Sequence, residues 1–165
     1  MPAGRGFFYN LTPTFYMMSR WTAINNETSY PCEGGRLHIW SFINGNYENN
    51  WAAKIFEKLS AAINTEGHEY DQAIAPDDTY MLFCSSGRLD GFGGSDFYIS
   101  FCTEKGTWTQ ATNMGKSINV SDDIYCPSIS LGGKYIFFQS TKSGDGDIYW
   151  VDAAIVEELR PKAMK

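Results

Sequence analysis

The sequence predicts an all-β protein, and three observations support this prediction. Aromatic residues make up 16% of the 165 residues and 16 more are glycine, a composition that favours strands and tight turns over a helical bundle. Short apolar runs alternate with clusters of Gly, Pro, Asp and Ser, which is the pattern of antiparallel strands joined by turns. The chain also repeats itself. With 43% hydrophobic residues, residues 1–165 can bury the core of a single domain.

The repeat has an offset of 55 residues. Residues 59–85 align with residues 114–140 at seven identities in 27 positions, where a chance pairing gives roughly one or two. The identical pairs are Ile63 and Ile118, Asn64 and Asn119, Tyr70 and Tyr125, Ile74 and Ile129, Tyr80 and Tyr135, Phe83 and Phe138, and Ser85 and Ser140. The register then shortens by four residues, so that 96–99 aligns with 147–150. This predicts a loop of variable length between two matched strands.

A more divergent copy precedes these two. We interpret the chain as three units, at about 6–58, 59–113 and 114–152. In the first unit, residues 37–39 correspond to 97–99, and 15–19 is the preceding strand. An insertion at 48–58 places Trp51, Ile55, Phe56 and Leu59 at helical spacing after a possible cap at Asn50, which predicts a short helix.

The second and third units have clearer strand patterns. In the second unit we predict strands over 71–75, 80–85, 96–102 and 107–109. In the third we predict strands over 126–130, 134–140 and 147–152, with no fourth strand. A terminal helix over 152–160 is predicted by a capping Asp152, good helix formers and the following Pro161.

Four short antiparallel strands in about 50 residues form one blade of a β-propeller. A propeller closes with typically four to eight blades, so three blades should not close a ring alone. We expect two chains to associate into a six-bladed homodimer, in which the unfinished last blade could accept a strand such as 6–10. The alternatives are further blades in a larger propeller, or a first unit that forms a different domain.

Two segments resemble a known repeat. Residues 75–85 read Ala-Pro-Asp-Asp-Thr-Tyr-Met-Leu-Phe-Cys-Ser, and 94–98 read Gly-Ser-Asp-Phe-Tyr. Residues 130–140 read Ser-Leu-Gly-Gly-Lys-Tyr-Ile-Phe-Phe-Gln-Ser, and 146–149 read Gly-Asp-Ile-Tyr. Over 59–152 the chain therefore resembles the TolB-type repeat, a WD-repeat-like family of bacterial β-propellers with the pattern Ser-Pro-Asp-Gly-Lys-Tyr followed by Gly-x-Asp-Ile-Tyr.

The resemblance implies a propeller fold and a tendency to bind partners, and it implies no particular activity. The chain departs from the family pattern in its turns. Leu131-Gly132 stands where the family has Pro-Asp, and Asp78 stands where it has the turn glycine. These departures leave the turn types open.

Charge and hydropathy exclude several classes of protein. The net charge of −6 makes a nucleic-acid partner unexpected. The sequence contains no run of 18 apolar residues, so no membrane helix is predicted. Residues 1–20 lack the pattern of a secretory signal. The chain as written is expected in the cytoplasm, or in the periplasm or outside the cell if it belongs to a longer precursor.

The four cysteines are never spaced as Cys-x-x-Cys, so no zinc or redox motif is predicted. Free thiols are favoured over disulfides, because Cys84 and Cys102 lie inside strand patterns as small buried apolar residues.

Catalytic motifs are not found in the sequence. Ser95 is not in a Gly-x-Ser-x-Gly turn, and neither His38 nor His68 has a recognisable partner. We therefore predict no catalytic residue, no cofactor and no metal site. Asp96 and Asp147 start equivalent strands, and we interpret them as acceptors for loop amides rather than as calcium ligands.

The predicted function is a non-enzymatic module that presents loops 87–94 and 141–146 to a protein, a peptide or a glycan. Arg88 and Phe92 are expected to be exposed anchors on the first loop. The further candidate ligand-binding residues are Asp90, Asp145 and Trp51.

Two alternatives remain. One is a carbohydrate-active hydrolase with carboxylates at the centre of the propeller, for which the candidates are Asp77, Asp122 and Asp123. The other is a degenerate half-propeller with no independent activity.

Overall fold

The computed structural model describes residues 14–18, 39–43, 55–119 and 123–164, and it describes side chains at Ile39, 58–119 and 123–164. The strands in these residues are β1 (Thr14–Met18), β2 (Ile39–Ile43), β3 (Ile55–Lys58), β4 (His68–Ile74), β5 (Tyr80–Ser86), β6 (Asp96–Phe101), β7 (Thr112–Asn113), β8 (Ile124–Ile129), β9 (Tyr135–Ser140) and β10 (Asp147–Asp152). They are followed by helix α1 (Ile155–Leu159) and a 3₁₀ helix (Lys162–Met164). The prediction of an all-β protein is confirmed for this part of the chain.

The described strands form three antiparallel sheets in which each strand pairs with the next in sequence. Sheet 1 has the order β1-β2-β3, sheet 2 the order β4-β5-β6-β7, and sheet 3 the order β8-β9-β10. Sheet 2 is the four-stranded unit that the sequence predicts. Its first strand contacts β1 and β2, and the first strand of sheet 3 contacts β5 and β6 in the same way.

The predicted helix over 48–58 is wrong at its C-terminal part, where residues 55–58 form β3. Phe56 pairs with Phe42 and Ile55 pairs with Ile43 on the neighbouring strand. Ile and Phe favour strands when they pair with apolar residues across a sheet, so pairing with β2 outweighs the helical spacing. The rest of the predicted helix, and the predicted strand at 6–10, lie outside the described residues.

The fourth strand of sheet 2 lies later in the chain than the predicted 107–109. A tight turn places the Thr103 amide 2.8 Å from the Thr107 carbonyl oxygen, and Trp108 pairs with Cys102 as an isolated bridge instead of as part of a strand. The amide of Ala111 then donates to the Ala62 carbonyl at 2.9 Å. That bond draws the chain away from β6 before it returns as β7.

The junctions between successive sheets repeat one hydrogen-bonding device. The side chain of Asn64 accepts from the Ile39 amide and donates to the Ile39 carbonyl, both at 2.8 Å. Asn119, one repeat later, makes the same pair of bonds to Phe97 at 2.8 and 2.9 Å. Both asparagines are buried. Ile39 in sheet 1 is therefore structurally equivalent to Phe97 in sheet 2, so the predicted alignment of 37–39 with 97–99 is wrong by two residues.

Each of the two junctions also encloses an apolar cluster. Between sheets 1 and 2 the buried members are Ile39, Ile63, Met81, Phe83, Tyr98 and Ala111. Between sheets 2 and 3 they include Leu82, Cys84, Phe97, Ile99, Ile136 and Phe138. The rings of Phe83 and Tyr98 stack with centroids 6.1 Å apart, and those of Phe138 and Tyr149 stack at 6.0 Å, both with an interplanar angle of 24°. The repeat is thus preserved in ring geometry as well as in sequence.

The first strands of sheets 2 and 3 contain matching bulges. Asp71 and Cys126 have φ of 49° and 52°, a conformation uncommon for residues other than glycine, and the register shifts beside each of them. The Asp71 carboxylate accepts from the Cys126 amide at 3.2 Å. The two bulges therefore contact each other where sheets 2 and 3 meet.

The turns after β4 and β8 are alike despite their different sequences. Asp78 in one and Gly133 in the other both have positive φ, of 58° and 68°. Each donates its amide to the residue three positions earlier, Ala75 or Ser130, at 2.9 and 2.8 Å. Asp78 adopts the left-handed conformation that Gly133 adopts in the equivalent turn, so the two turns are of the same kind.

The described cysteines are free thiols with different surroundings. Cys84 is buried in the core as predicted, and desolvation raises its pKa well above the usual value. Cys102 is half-buried and Cys126 is exposed at its bulge. Cys32 lies outside the described residues.

Tyr80 should make the free energy of unfolding fall at alkaline pH. Burial, assisted by the charge of Asp77, raises the pKa of Tyr80 to about 12 from an ordinary value of 10.0. Its contribution is fully present below pH 10 and is lost as the pH rises towards 12, because the unfolded chain releases that proton first. We expect Tyr80→Phe to flatten the fall in urea midpoint over this interval. Equal slopes in the two proteins would contradict the assignment.

Candidate functional site

The two loops predicted to bind a ligand lie at the same end of sheets 2 and 3. Loop 87–95 ends at Ser95, whose carbonyl accepts from the Ile124 amide at 3.3 Å. Loop 141–146 begins at Thr141, whose amide donates to the Asp123 carbonyl at 3.1 Å. Both loops therefore flank the start of β8 and form one surface, which we call the loop surface.

Arg88 does not project from this surface as the sequence analysis expected. Its side chain is only 6% exposed, and Nη2 lies 3.2 Å from Oε1 of Glu69, which is fully buried. The guanidinium is 4.3 Å from the ring centroid of Tyr98 and 5.2 Å from that of Phe83. It also donates to the Ile63 carbonyl and, at 2.9 Å, to Ser85. Arg88 thus attaches the loop to the junction between sheets 1 and 2.

Glu69 is the centre of a polar network under the loop. Its carboxylate accepts from the Thr65 hydroxyl at 2.7 Å, from the Thr65 amide at 3.1 Å and from the Ser85 hydroxyl at 3.1 Å. Together with the Arg88 contact, these bonds compensate the cost of burying a charge. The network explains why an acidic residue can occupy a fully buried position on β4.

Asp90 and Asp96 hold the rest of the loop. Oδ1 of Asp90 accepts from the Tyr98 hydroxyl at 2.8 Å, and Oδ2 of Asp96 accepts from the Phe92 amide at 2.5 Å. Desolvation and the contact with Asp90 raise the pKa of Tyr98. The prediction that Asp96 satisfies loop amides is confirmed. Its repeat equivalent, Asp147, accepts instead from the Ser143 hydroxyl at 2.5 Å.

Loop 87–95 presents two apolar side chains to solvent. Leu89 is fully exposed at the tip and Phe92 is 41% exposed beside it. The Lys116 ammonium lies 5.2 Å from the centroid of the Phe92 ring, within cation–π range. Of the predicted anchors, Phe92 is therefore placed for contact. Arg88 and Asp90 are placed to fix the loop.

Of the two remaining candidate ligand-binding residues, the structure describes only Asp145. Asp145 is exposed on the neighbouring loop, and its carbonyl accepts from the Asp147 amide at 3.0 Å. Trp51 lies outside the described residues.

A pocket of about 570 Å³ lies at the opposite end of sheets 2 and 3. It is bounded by the equivalent turns 76–79 and 131–134 and by α1. Its charged lining residues are Asp77, Lys134, Asp152, Glu157 and Arg160. Arg160 binds the Glu157 carboxylate at 2.7 to 3.0 Å and lies 4.8 Å above the Phe101 ring, and the bond to Glu157 raises the pKa of the Arg160 guanidinium.

The carboxylates proposed for a hydrolase do not come together among the described residues. Asp77 follows the end of β4, whereas Asp123 precedes the start of β8. The first strands of the two sheets contact each other, and Asp71 near the middle of β4 bonds to Cys126 near the start of β8. A seven-residue strand spans roughly 20 Å, so these carboxyl groups are farther apart than the roughly 5–9.5 Å of glycosidases. Asp122 lies outside the described residues.

Sequence reasoning missed two residues that define the loop surface. Leu89 follows Arg88 and belongs to no motif. An apolar residue in a polar, glycine-rich loop could nevertheless have indicated an exposed contact residue. Glu69 is the second. An acidic residue two positions before the predicted strand 71–75, with an arginine in the loop after the next strand, was the available indication of a buried pair.

In the ranges with described side chains, no three acidic, histidine or cysteine residues are grouped so as to hold a metal ion. None of the helices found in the described residues is long and apolar enough to cross a membrane. The chain matches no protein-family model and no curated protein sequence. In the described residues, fold and site together define an all-β protein of repeated antiparallel sheets, with a hydrogen-bonded loop surface that has an apolar tip.

Proposed function

We propose that this protein is a binding module of the β-propeller type, and that its loop surface recognises a protein or peptide without catalysing a reaction. The main support is the exposure of Leu89 and Phe92 on a loop whose backbone is held from both sides. A loop whose backbone is already held loses little conformational entropy when a partner binds it. Such a loop is suited to binding.

The chemistry of the tip favours a protein or peptide over a glycan. Leu89 offers an aliphatic surface that fits an apolar pocket or side chain, whereas glycans stack on flat aromatic rings. Phe92 is covered on one side by Lys116, whose charge would complement an acidic group of the partner. We therefore expect a partner with an apolar centre and an acidic margin.

The propeller arrangement is supported by the repeated junctions. The asparagine bridges, the stacked ring pairs and the bulges recur from one sheet to the next. Equal junctions between successive antiparallel sheets are what radial packing of blades requires. The hydrolase alternative has less support, since Asp77 and Asp123 lie at opposite ends of the sheets.

Substitutions at the tip of loop 87–95 should weaken partner binding strongly. We expect Leu89→Ser with Phe92→Ser to weaken the interaction at least tenfold, because exposed apolar anchors dominate interface energies. The matched control is Leu131→Ser, which removes an equally exposed leucine at the opposite end of sheet 3.

Partners would be captured on the immobilised chain, identified by mass spectrometry and then titrated individually by calorimetry. Equal affinity for the tip variant and the wild type would contradict the proposal. Tip-dependent binding on a glycan array, without a protein partner, would replace the proposed ligand class.

A further inference from the structure

Sheet 3 exposes an apolar face that faces away from sheet 2. Phe137, Ile148 and Trp150 are 39%, 71% and 61% exposed. Phe137 on β9 is paired with Trp150 on β10, and Ile148 is paired with Gln139, two residues after Phe137. The three apolar side chains therefore form one continuous patch across β9 and β10.

The equivalent positions of sheet 2 are completely covered. They are Leu82, Phe97 and Ile99, all of which are buried in the cluster that sheet 3 completes. The covering side chains come from the other face of sheet 3, where Ile136 and Phe138 lie. The Phe138 ring meets the Phe97 ring edge-on at 5.4 Å. The face that is exposed on sheet 3 is thus the face that a following sheet covers on sheet 2.

The backbone register of sheet 1 provides a sheet of the required kind. Aligning the bridged residues Ile39 and Phe97 makes the pair Met17 and Trp40 equivalent to Phe138 and Tyr149. The same alignment makes the pair Phe15 and Phe42 equivalent to Ile136 and Val151. All four sheet 1 positions are occupied by apolar residues, as the covering face requires.

We propose that the exposed face of sheet 3 docks on sheet 1 of a second copy of this chain, so that two copies close head to tail. Sheet 2 lies between sheets 1 and 3 of one chain, and three blades are too few for a closed ring, so in a closed pair this contact forms between the two chains. The two contacts of the dimer are then equivalent, and no apolar face is left over for further growth. This inference extends the proposed propeller arrangement and is independent of the ligand of the loop surface.

The mass of the full chain in solution tests the proposal. Light scattering over a wide concentration range should give twice the 18.6 kDa of one chain. Ile148→Glu with Trp150→Glu should halve that mass while the near-ultraviolet circular dichroism stays that of a folded protein. Leu131→Glu, at an exposed site away from the patch, should leave the mass unchanged. The glutamates lie outside the loop surface, so partner binding there should persist in the monomer.

The identity of the covering sheet is tested by photo-crosslinking. A photoreactive residue at position 148, in a mixture of isotopically labelled and unlabelled chains, should attach to 14–18 or 39–43 of the other copy. Three results would overturn the proposal: a wild-type monomer at all concentrations, a dimer that survives both glutamates, or cross-links from sheet 3 to sheet 3. Polymers of steadily growing mass would overturn the closed pair.

Discussion

Replacing Glu69 by glutamine is expected to lower the free energy of unfolding by about 3–5 kcal/mol, because it leaves the buried guanidinium of Arg88 without its counter-ion. The two side chains are 0% and 6% exposed, so water cannot replace the lost partner. Arg88→Ala should cost a similar amount, since it strands the carboxylate instead. Urea denaturation followed by tryptophan fluorescence measures both.

A matched control exists within the same chain. Glu157 and Arg160 form a pair at 2.7 Å, but the glutamate side chain is 64% exposed. Exposed pairs contribute about 0–1 kcal/mol, so Glu157→Gln should cost no more than that. If Glu69→Gln proved equally mild, the network under loop 87–95 would not be what holds the loop.

Removing both charges should cost less than removing either one. The double variant Glu69→Leu with Arg88→Met leaves no unpaired charge at this site. Apolar replacements of buried ion pairs often change the free energy of unfolding very little. The double variant is therefore expected to be more stable than Arg88→Ala. A double variant less stable than both single ones would show that the hydrogen bonds to Thr65 and Ser85 matter more than the charge pair.

Much of sheets 2 and 3 could be predicted because their determinants are local. The apolar runs at 80–85 and 135–140 lie within a few residues of the turns that precede them. The 55-residue repeat also shows each of these patterns twice. The other strands of sheets 2 and 3 begin and end within three residues of their predicted bounds. The exception was β7, where a bond from Ala111 to the distant Ala62 sets the strand position.

The site was harder to predict because its residues are placed by distant contacts. Arg88 looked like an exposed anchor in its loop, and it is buried by Glu69, 19 residues away. Residues 55–58 had helical spacing, and β2 recruits them as a strand. In both cases a tertiary partner outweighs the local pattern, and the single sequence does not name that partner.

Asn119→Ala is expected to lower the free energy of unfolding by about 1–3 kcal/mol, because it leaves the buried backbone amide of Phe97 without a partner. The Phe97 carbonyl loses the Asn119 bond but still accepts from the Met114 amide at 3.0 Å. Phe97 is 1% exposed, so its amide cannot reach water without opening the junction between sheets 2 and 3. The variant also removes the 2.8 Å bond to Asn113. Gln139→Ala, a half-buried amide with one long 3.5 Å bond, is the control and should change stability by less than about 1 kcal/mol.

The equivalent change Asn64→Ala separates the two junctions. It removes the bonds to Ile39 and a further 2.8 Å bond to the Leu59 carbonyl, so it should loosen sheet 1 from sheet 2. Hydrogen exchange of backbone amides distinguishes the variants, since Ile39 should lose protection in Asn64→Ala and Phe97 should lose it in Asn119→Ala. If both amides lost protection equally in either variant, the three sheets would open as one cooperative unit. Separate losses would instead mean that each junction is stabilised by its own asparagine, and that the chain is built by repeating one interface.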